Sequence, residues 1–233
     1  ATEDGGLNYL NSKKEITRAE RLHKQMQIYA KNIHSLWLDK DNSLWLGLFL
    51  KGALHYIPHL NRTVDYNLLS EEVSSGFCII EDKNDHVWYG GPSGLFLIDK
   101  KKANARPEKI SPLRIFNLVQ FNDSILWAGT RKGSMFQINT RTLKVTSLPI
   151  LPHTDLYVTY IYPDSHQRIW IGTDNNGLYV SDRNGSIIAS YSKEQLGSNA
   201  IKGIIEDEMN NIWVGTGSGL CCINPQMENI DRY

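Results

Sequence analysis

At 233 residues, 41% hydrophobic and 10% aromatic, the chain holds enough apolar material for one large all-β domain or two small ones. Lysine plus arginine number 25, as do aspartate plus glutamate; zero formal charge argues against a general nucleic-acid binder, which needs a basic surface to neutralise phosphates. No apolar run approaches the roughly 18 residues of a membrane helix, and three cysteines make no disulfide framework.

The chain opens on Ala1-Thr2-Glu3-Asp4, acidic and polar, without an initiator methionine. That start reads as a mature or excised piece, not as a signal peptide. Gly5-Gly6-Leu7-Asn8-Tyr9-Leu10 reads as a strand. Ile16 to Ala30 is charged, with Ile16, Ala19, Leu22, His23 and Met26 near one helical face. The register of the units that follow places an outer strand and a connecting loop here instead. Pairing with a neighbouring strand outweighs a weak helix propensity.

Five units follow. The first has a strand at Ile33-His34-Ser35-Leu36-Trp37, a turn at Asp39-Lys40-Asp41-Asn42, a second strand at Leu44-Trp45-Leu46-Gly47 and a third at Ala53-Leu54-His55-Tyr56. The second unit repeats this at Gly76-Phe77-Cys78-Ile79-Ile80, Asp82-Lys83-Asn84-Asp85, Val87-Trp88-Tyr89-Gly90 and Gly94-Leu95-Phe96-Leu97. The third starts with Ile115-Phe116-Asn117-Leu118-Val119 and keeps the length, but replaces the acidic turn by Phe121-Asn122-Asp123-Ser124. It goes on through Leu126-Trp127-Ala128-Gly129 and Gly133-Ser134-Met135-Phe136. The fourth runs through Val158-Thr159-Tyr160-Ile161-Tyr162, Asp164-Ser165-His166-Gln167, Ile169-Trp170-Ile171-Gly172 and Gly177-Leu178-Tyr179-Val180. The fifth runs through Ile201-Lys202-Gly203-Ile204-Ile205, Asp207-Glu208-Met209-Asn210, Ile212-Trp213-Val214-Gly215 and Gly219-Leu220-Cys221-Cys222. A more variable fourth strand completes each unit, as at Leu143-Lys144-Val145-Thr146 and Ile187-Ile188-Ala189-Ser190.

Trp45, Trp88, Trp127, Trp170 and Trp213 therefore recur at steps of 43, 39, 43 and 43 residues, and Trp37 alone falls off the series. Four strands and no helix per unit, at this period, predict an all-β chain: a β-propeller of four-stranded antiparallel blades. The first strand of each unit, short and rich in β-branched and aromatic residues, suits a strand buried on both sides. Asx residues close tight turns through their own backbone. The glycine two residues after each tryptophan shares its face, so a large ring beside a missing side chain lets sheets interlock. The opening residues match the third strand of a unit, so the segment reads as the outer half of one blade plus five full ones. Approximate boundaries are 1–32 (partial), 33–75, 76–114, 115–157, 158–200 and 201–233 of a single propeller segment. An incomplete ring exposes strand edges, so the isolated segment is expected to pair with a second copy.

The pattern of an apolar strand, Asp-x-x-Asn/Gln-x-Ile-Trp-Ile-Gly-Thr and Gly-Leu-Tyr, clearest at Asp164 to Tyr179 and Asp207 to Leu220, resembles the two-component regulator propeller repeat. Leu196-Gly197-Ser198-Asn199-Ala200-Ile201 is similar to that family's lead-in to a blade. The resemblance covers essentially the whole chain. It implies the periplasmic, extracytoplasmic sensor region of a membrane-anchored hybrid histidine kinase of Bacteroides type. In such proteins the remaining propeller blades, a downstream β-sandwich, a membrane helix and kinase modules lie on the same parent chain. It implies an oligosaccharide ligand controlling glycan-utilisation genes. The blade at Leu46-Gly47-Leu48-Phe49-Leu50 departs from the family's Ile-Gly-Thr, and Ala128-Gly129-Thr130-Arg131-Lys132 also differs.

Catalytic, cofactor and metal motifs are not found: no Gly-x-Ser-x-Gly, no phosphate loop, no His-Glu-x-x-His. No enzyme activity, cofactor, nucleic-acid contact or membrane contact is assigned to this segment. His55 and His59 are four apart but on a strand and its exit, and Asp39-x-Asp41 and Asp164 are explained by turn chemistry before calcium. Cys78 reads as a buried hydrophobe, and Cys221 and Cys222 as neighbours pointing to opposite faces. The run Lys100-Lys101-Lys102 reads as a solvated loop. Candidate ligand residues lie in the loops after the second strand and entering each blade: Phe49, Lys51, Arg131, Lys132, His153, Tyr157, Asp174, Asn175 and Asn176. Arg131 and Lys132 suit a carboxylated or sulfated sugar, Asp174 and Asn175 its hydroxyls. Two columns of the first strands compete for the central channel: His34, Phe77, Phe116, Thr159 and Lys202, or Ser35, Cys78, Asn117, Tyr160 and Gly203. A protein-interaction scaffold without a small ligand is the alternative, and a propeller enzyme a third class.

Overall fold

A computed structural model of the protein describes residues 7–18, 32–66, 75–130, 133–148 and 156–233. The chain divides into two compact units, Ala1–Ile115 and Phe116–Tyr233. In the first, β1 (Asn8–Leu10) pairs antiparallel with β2 (Ile16–Arg18). The rest of the ambiguous 16–30 segment lies outside the described residues. Two four-stranded sheets follow. One runs β3 (Ile33–Leu38), β4 (Leu44–Leu48), β5 (Gly52–Ile57) and β6 (Arg62–Asp65). The other runs β7 (Cys78–Glu81), β8 (His86–Gly91), β9 (Gly94–Asp99) and β10 (Glu108–Ser111).

The second unit carries three such sheets. They are β11 (Ile115–Asn122), β12 (Ile125–Thr130), β13 (Met135–Asn139) and β14 (Val145–Ser147); β15 (Val158–Pro163), β16 (Ile169–Thr173), β17 (Leu178–Ser181) and β18 (Ile187–Tyr191); and β19 (Ile201–Glu206), β20 (Ile212–Thr216), β21 (Leu220–Ile223) and β22 (Ile230–Arg232). Within every sheet, spatial order follows chain order. These are the blades of a β-propeller, as the tryptophan period predicts. One turn of helix, Lys193–Leu196, precedes β19 and ends on Gly197 in the left-handed region (φ 79°).

The core lies between successive sheets. Leu7 joins Ile33, Leu46, Leu48 and Leu54; Trp45, Ala53 and Tyr66 pack with Ile79, Val87, Tyr89 and Phe96. In the second unit Trp127 and Met135 pack with Val158, Ile161 and Ile169, and Trp170, Leu178 and Val180 with Ile201, Ile204 and Val214. Trp45, Trp88, Trp127 and Trp170 are fully buried, and Trp213 is half-buried. The glycines admit this packing: a Cβ at Gly129 would meet Val158 at 2.9 Å, one at Gly172 would meet Ile201 at 2.6 Å, and one at Gly47 would strike the Gly76 carbonyl.

One expectation is corrected. The first strand is not buried on both faces in most units: β3, β15 and β19 mix buried residues with exposed or half-buried ones, and Leu36, Leu38, Tyr160 and Ile205 are exposed, whereas in β7 Cys78, Ile79 and Ile80 are all buried as expected. That strand is the edge of its sheet. The second and third strands are flanked on both sides, and β16 and β17 are buried along their whole length. The β-branched runs of the first strands report pairing propensity, not full burial.

Candidate functional site

At one end of the strands, every acidic turn uses its aspartate the same way. Asp39 Oδ1 accepts the amides of Asp41 (3.0 Å) and Ser43 (2.8 Å), and Oδ2 accepts Trp45 Nε1–H (3.0 Å). Asp82 takes the amides of Asn84 and His86 and the Trp88 indole (2.9 Å). Asp164 takes His166, Arg168 and Trp170 (2.8 Å); Asp207 takes Met209, Asn211 and Trp213 (2.8 Å). The left-handed slot of each turn is filled by Asn42, Asp85, Gln167 and Asn210. The aspartate thus closes the turn and satisfies the buried indole six residues on. The third unit has Phe121 at that position, and Trp127 Nε1 has no hydrogen-bond partner among the described residues.

The same end carries a charge cluster in the first unit. Lys100 Nζ lies 2.7 Å from Asp39 Oδ2, 2.6 Å from Asp41 Oδ2 and 2.8 Å from Glu81 Oε1. Lys100 is therefore not the solvated loop residue expected from its run: its side chain is 13% exposed, against 65% for Lys101 and 68% for Lys102. The three carboxylates converge as a metal cage would, with their ligand atoms within 4.8 Å of one another, but the ammonium sits where a cation would. Burial opposes the charged form of Lys100, yet its bonds to the three acids outweigh it and raise its pKa. Burial likewise works against the Asp39 carboxylate, and the bonds from Lys100, Trp45 and Ser43 hold its pKa below the ordinary value. His55 stacks on Trp45 at 3.9 Å, across the register pair Trp45–His55. Burial lowers its pKa to about 4 against the pull of Asp39, so the ring is neutral at pH 7.

The opposite end of the strands carries the predicted ligand loops. Phe49 and Lys51 stand exposed in the turn between β4 and β5. The turn is tethered: Phe49 N–H donates to Asn32 O, Leu50 N–H to Ser75 Oγ (2.8 Å), and Gly76 N–H to Leu48 O. His34, exposed on β3, lies 5.7 Å from the Phe49 ring and 4.6 Å edge-on from Phe77. The structure therefore gathers one loop candidate with two members of the first strand column. In the second unit, Asp174 and Tyr157 clasp each other: Asp174 N–H donates to Tyr157 O, and Tyr157 N–H to Asp174 Oδ1 (3.3 Å). Asn176 N–H donates to Thr173 Oγ1, and Asn175 is exposed beside it. Arg131, Lys132 and His153 lie outside the described residues.

From both columns, side chains also reach the next sheet: Ser35 Oγ donates to Gly76 O, Asn117 Nδ2 to Val158 O (2.8 Å) and Thr159 Oγ1 to Ile201 O (2.8 Å). Sequence reasoning missed Glu81, the Lys100 cage and the gathering of His34 with Phe49. The constant six-residue step from aspartate to tryptophan was the signal for the indole clamp. The lysine had no local signal, since its Asp39 partner is 61 residues away.

Two stretches, residues 153–175 and 195–218, match the family described as two component regulator propeller. Histidine kinase P4 of Formosa agariphila is 26% identical over 197 residues, covering 76% of this chain and 14% of that protein. Among solved structures, PorZ, a surface component of the type-IX secretion system of Porphyromonas gingivalis, superposes with a TM-score of 0.77 at 18% identity, over 95% of this chain and 36% of that one. The extracellular domain of a protein described as a hybrid two component system of B. thetaiotaomicron gives 0.58 at 20% identity, over 98% and 35%. The chain thus spans only a small part of these relatives, and the structural likenesses establish the fold. No helix among the described residues is long and apolar enough to cross a membrane.

Proposed function

From a chain that carries two-component regulator propeller repeats, we propose the ligand-recognition part of the extracytoplasmic sensor of a hybrid two-component histidine kinase. The ligand class is an oligosaccharide, and the setting is the periplasm. The segment works with further blades and downstream sensor modules of the same parent chain, which carry the signal; its own role is recognition rather than catalysis. The observation that carries this reading is the match of two repeats to that family. The contrast between frame and loops supports it. Aspartate–indole clamps recur in four of the five units, while the loops after the second strand of those units differ: Phe49-Leu50-Lys51, Pro92-Ser93, Asp174-Asn175-Asn176 and Gly217-Ser218. A constant frame with variable loops is how a binding surface is tuned.

The test uses the full-length protein in liposomes. Autophosphorylation from labelled ATP is followed with and without di- to hexasaccharides of plant and host glycans. A change in rate with one glycan class is expected. A flat response across the panel, or a full-length chain with no kinase module, overturns the proposal and makes a protein-interaction scaffold the working reading.

A further inference from the structure

We propose that His34, Phe49 and Phe77 form a stacking platform for one pyranose ring of a bound oligosaccharide. The inference rests on the sensor reading above and names the site within it. Its starting point is a loop that breaks the pattern of its sisters. Where other blades place Pro-Ser, Asp-Asn-Asn or Gly-Ser, this one presents Phe49 and Leu50, 43% and 57% exposed. Leu50 also sits in the left-handed region at φ 54°, in addition to the glycine (Gly52, φ 57°) that opens β5. A branched aliphatic side chain in that region is strained. The described sister loops place only glycine there. Neither the exposed phenyl ring nor the strain is used by the core.

The strained turn is held rigidly. Its amides are tied to Asn32, and to Ser75, whose side chain is buried on the next sheet's lead-in. A ring on such a loop is preorganised and gives up little freedom on binding. His34 is tilted 59° to Phe49, and Phe77 meets His34 edge-on at 85°. The three rings form an angled cluster of two phenyl rings and an imidazole, with His34 and Phe49 exposed and Phe77 half-buried. That combination fits a sugar, whose axial C–H groups pack on ring faces while its hydroxyls bond ring nitrogen. A stable protein–protein contact needs about 800 Å² on each side, far more than three side chains supply, whereas a single pyranose is the size of this patch.

The test titrates full-length protein by calorimetry with purified gluco-, xylo-, manno-, galacto- and arabino-configured di- to hexasaccharides. Phe49→Ala, His34→Ala and Phe49→Trp are compared with the wild type, and sedimentation velocity runs alongside. Phe49 and His34 are exposed, so their thermal melts are expected to match the wild type. Support for the platform is a wild type that binds one of these sugars, at least about tenfold weaker binding in both alanine variants, and retention in Phe49→Trp. Wild-type binding unchanged in the alanine variants overturns the platform and leaves the sensor reading standing. A Phe49→Ala variant that loses self-association while binding sugar normally also overturns it, in favour of a contact between copies. No sugar binding by the wild type removes the sensor reading, and the platform with it.

Discussion

Phe121 is the one place in the described turns where the aspartate is missing, and its consequence is local. In the other four units the repeat tryptophan's indole N–H and a carboxylate satisfy each other; here Trp127 keeps a fully buried donor with no acceptor among the described residues, and the Phe121 ring packs 6.1 Å away instead. An unmet buried donor costs about 1–3 kcal/mol. Trp170→Phe leaves the Asp164 carboxylate short of a donor, whereas Trp127→Phe removes a donor that had nothing to bond. We expect Trp127→Phe to be less destabilising than Trp170→Phe by about 1–2 kcal/mol, read from urea midpoints at equal slope. His55 sets a pH dependence. Its folded pKa of about 4 lies below the ordinary 6.5, so between these values the unfolded chain binds a proton that the fold refuses. Stability is full above pH 6.5 and falls as pH drops toward 4, by on the order of 3 kcal/mol. Below that, Asp207 adds to the loss: bonds from Asn211 and Trp213 hold its pKa to about 2, under an ordinary 3.8. His55→Phe, which keeps the ring on Trp45, is expected to flatten the upper part of the melting-temperature profile only.

Among the blades, the seams are made by glycine and by charge. Gly172 faces Ile201 with no room for a methyl group, and Gly203 has nothing within 4 Å of where its Cβ would be. Gly172→Ala is expected to cost about 1–3 kcal/mol through overpacking, and Gly203→Ala to be neutral or mildly stabilising because a strand glycine carries excess unfolded entropy. Paired chemical denaturation curves decide it. Lys100 joins two sheets of the first unit, taking Asp39 and Asp41 from one and Glu81 from the other. Lys100→Met leaves the buried Asp39 and Glu81 carboxylates without a counter-charge and is expected to cost about 3–5 kcal/mol. A loss under about 1 kcal/mol would mean that the cluster behaves like an exposed surface pair.

On the scale of the whole molecule, the fold was legible because its cause repeats. Trp45, Trp88, Trp127, Trp170 and Trp213 mark the second strand of each sheet, and Gly47, Gly129 and Gly172 mark where the next sheet presses in. The aspartate clamp was half legible: Asx turns were expected, and the bond from each carboxylate to the indole was not drawn from the six-residue step. The site was less legible because it depends on which side chains from distant segments meet. Phe49 and His34 were both singled out, for different reasons, and only the three-dimensional register of β3 and β4 brings their rings within 5.7 Å. Lys100 read as a surface residue since lysine runs usually are, and its acidic partners come from one turn, with Asp39 and Asp41, and from the end of β7, with Glu81.

The consecutive order of strands in every described sheet carries a further consequence, for synthesis. Each strand pairs with the one made just before it, and each clamp closes over six residues, so the hydrogen-bonded sheet of a blade needs nothing from later in the chain, while its apolar face waits for the next sheet. Bonds such as Thr159 to Ile201 wait only for the opening strand of the next blade. Contacts this local favour rapid closure. A nascent chain can therefore close its sheets one at a time, and Trp45 and Trp170 are buried when the sheet that follows each in the chain arrives.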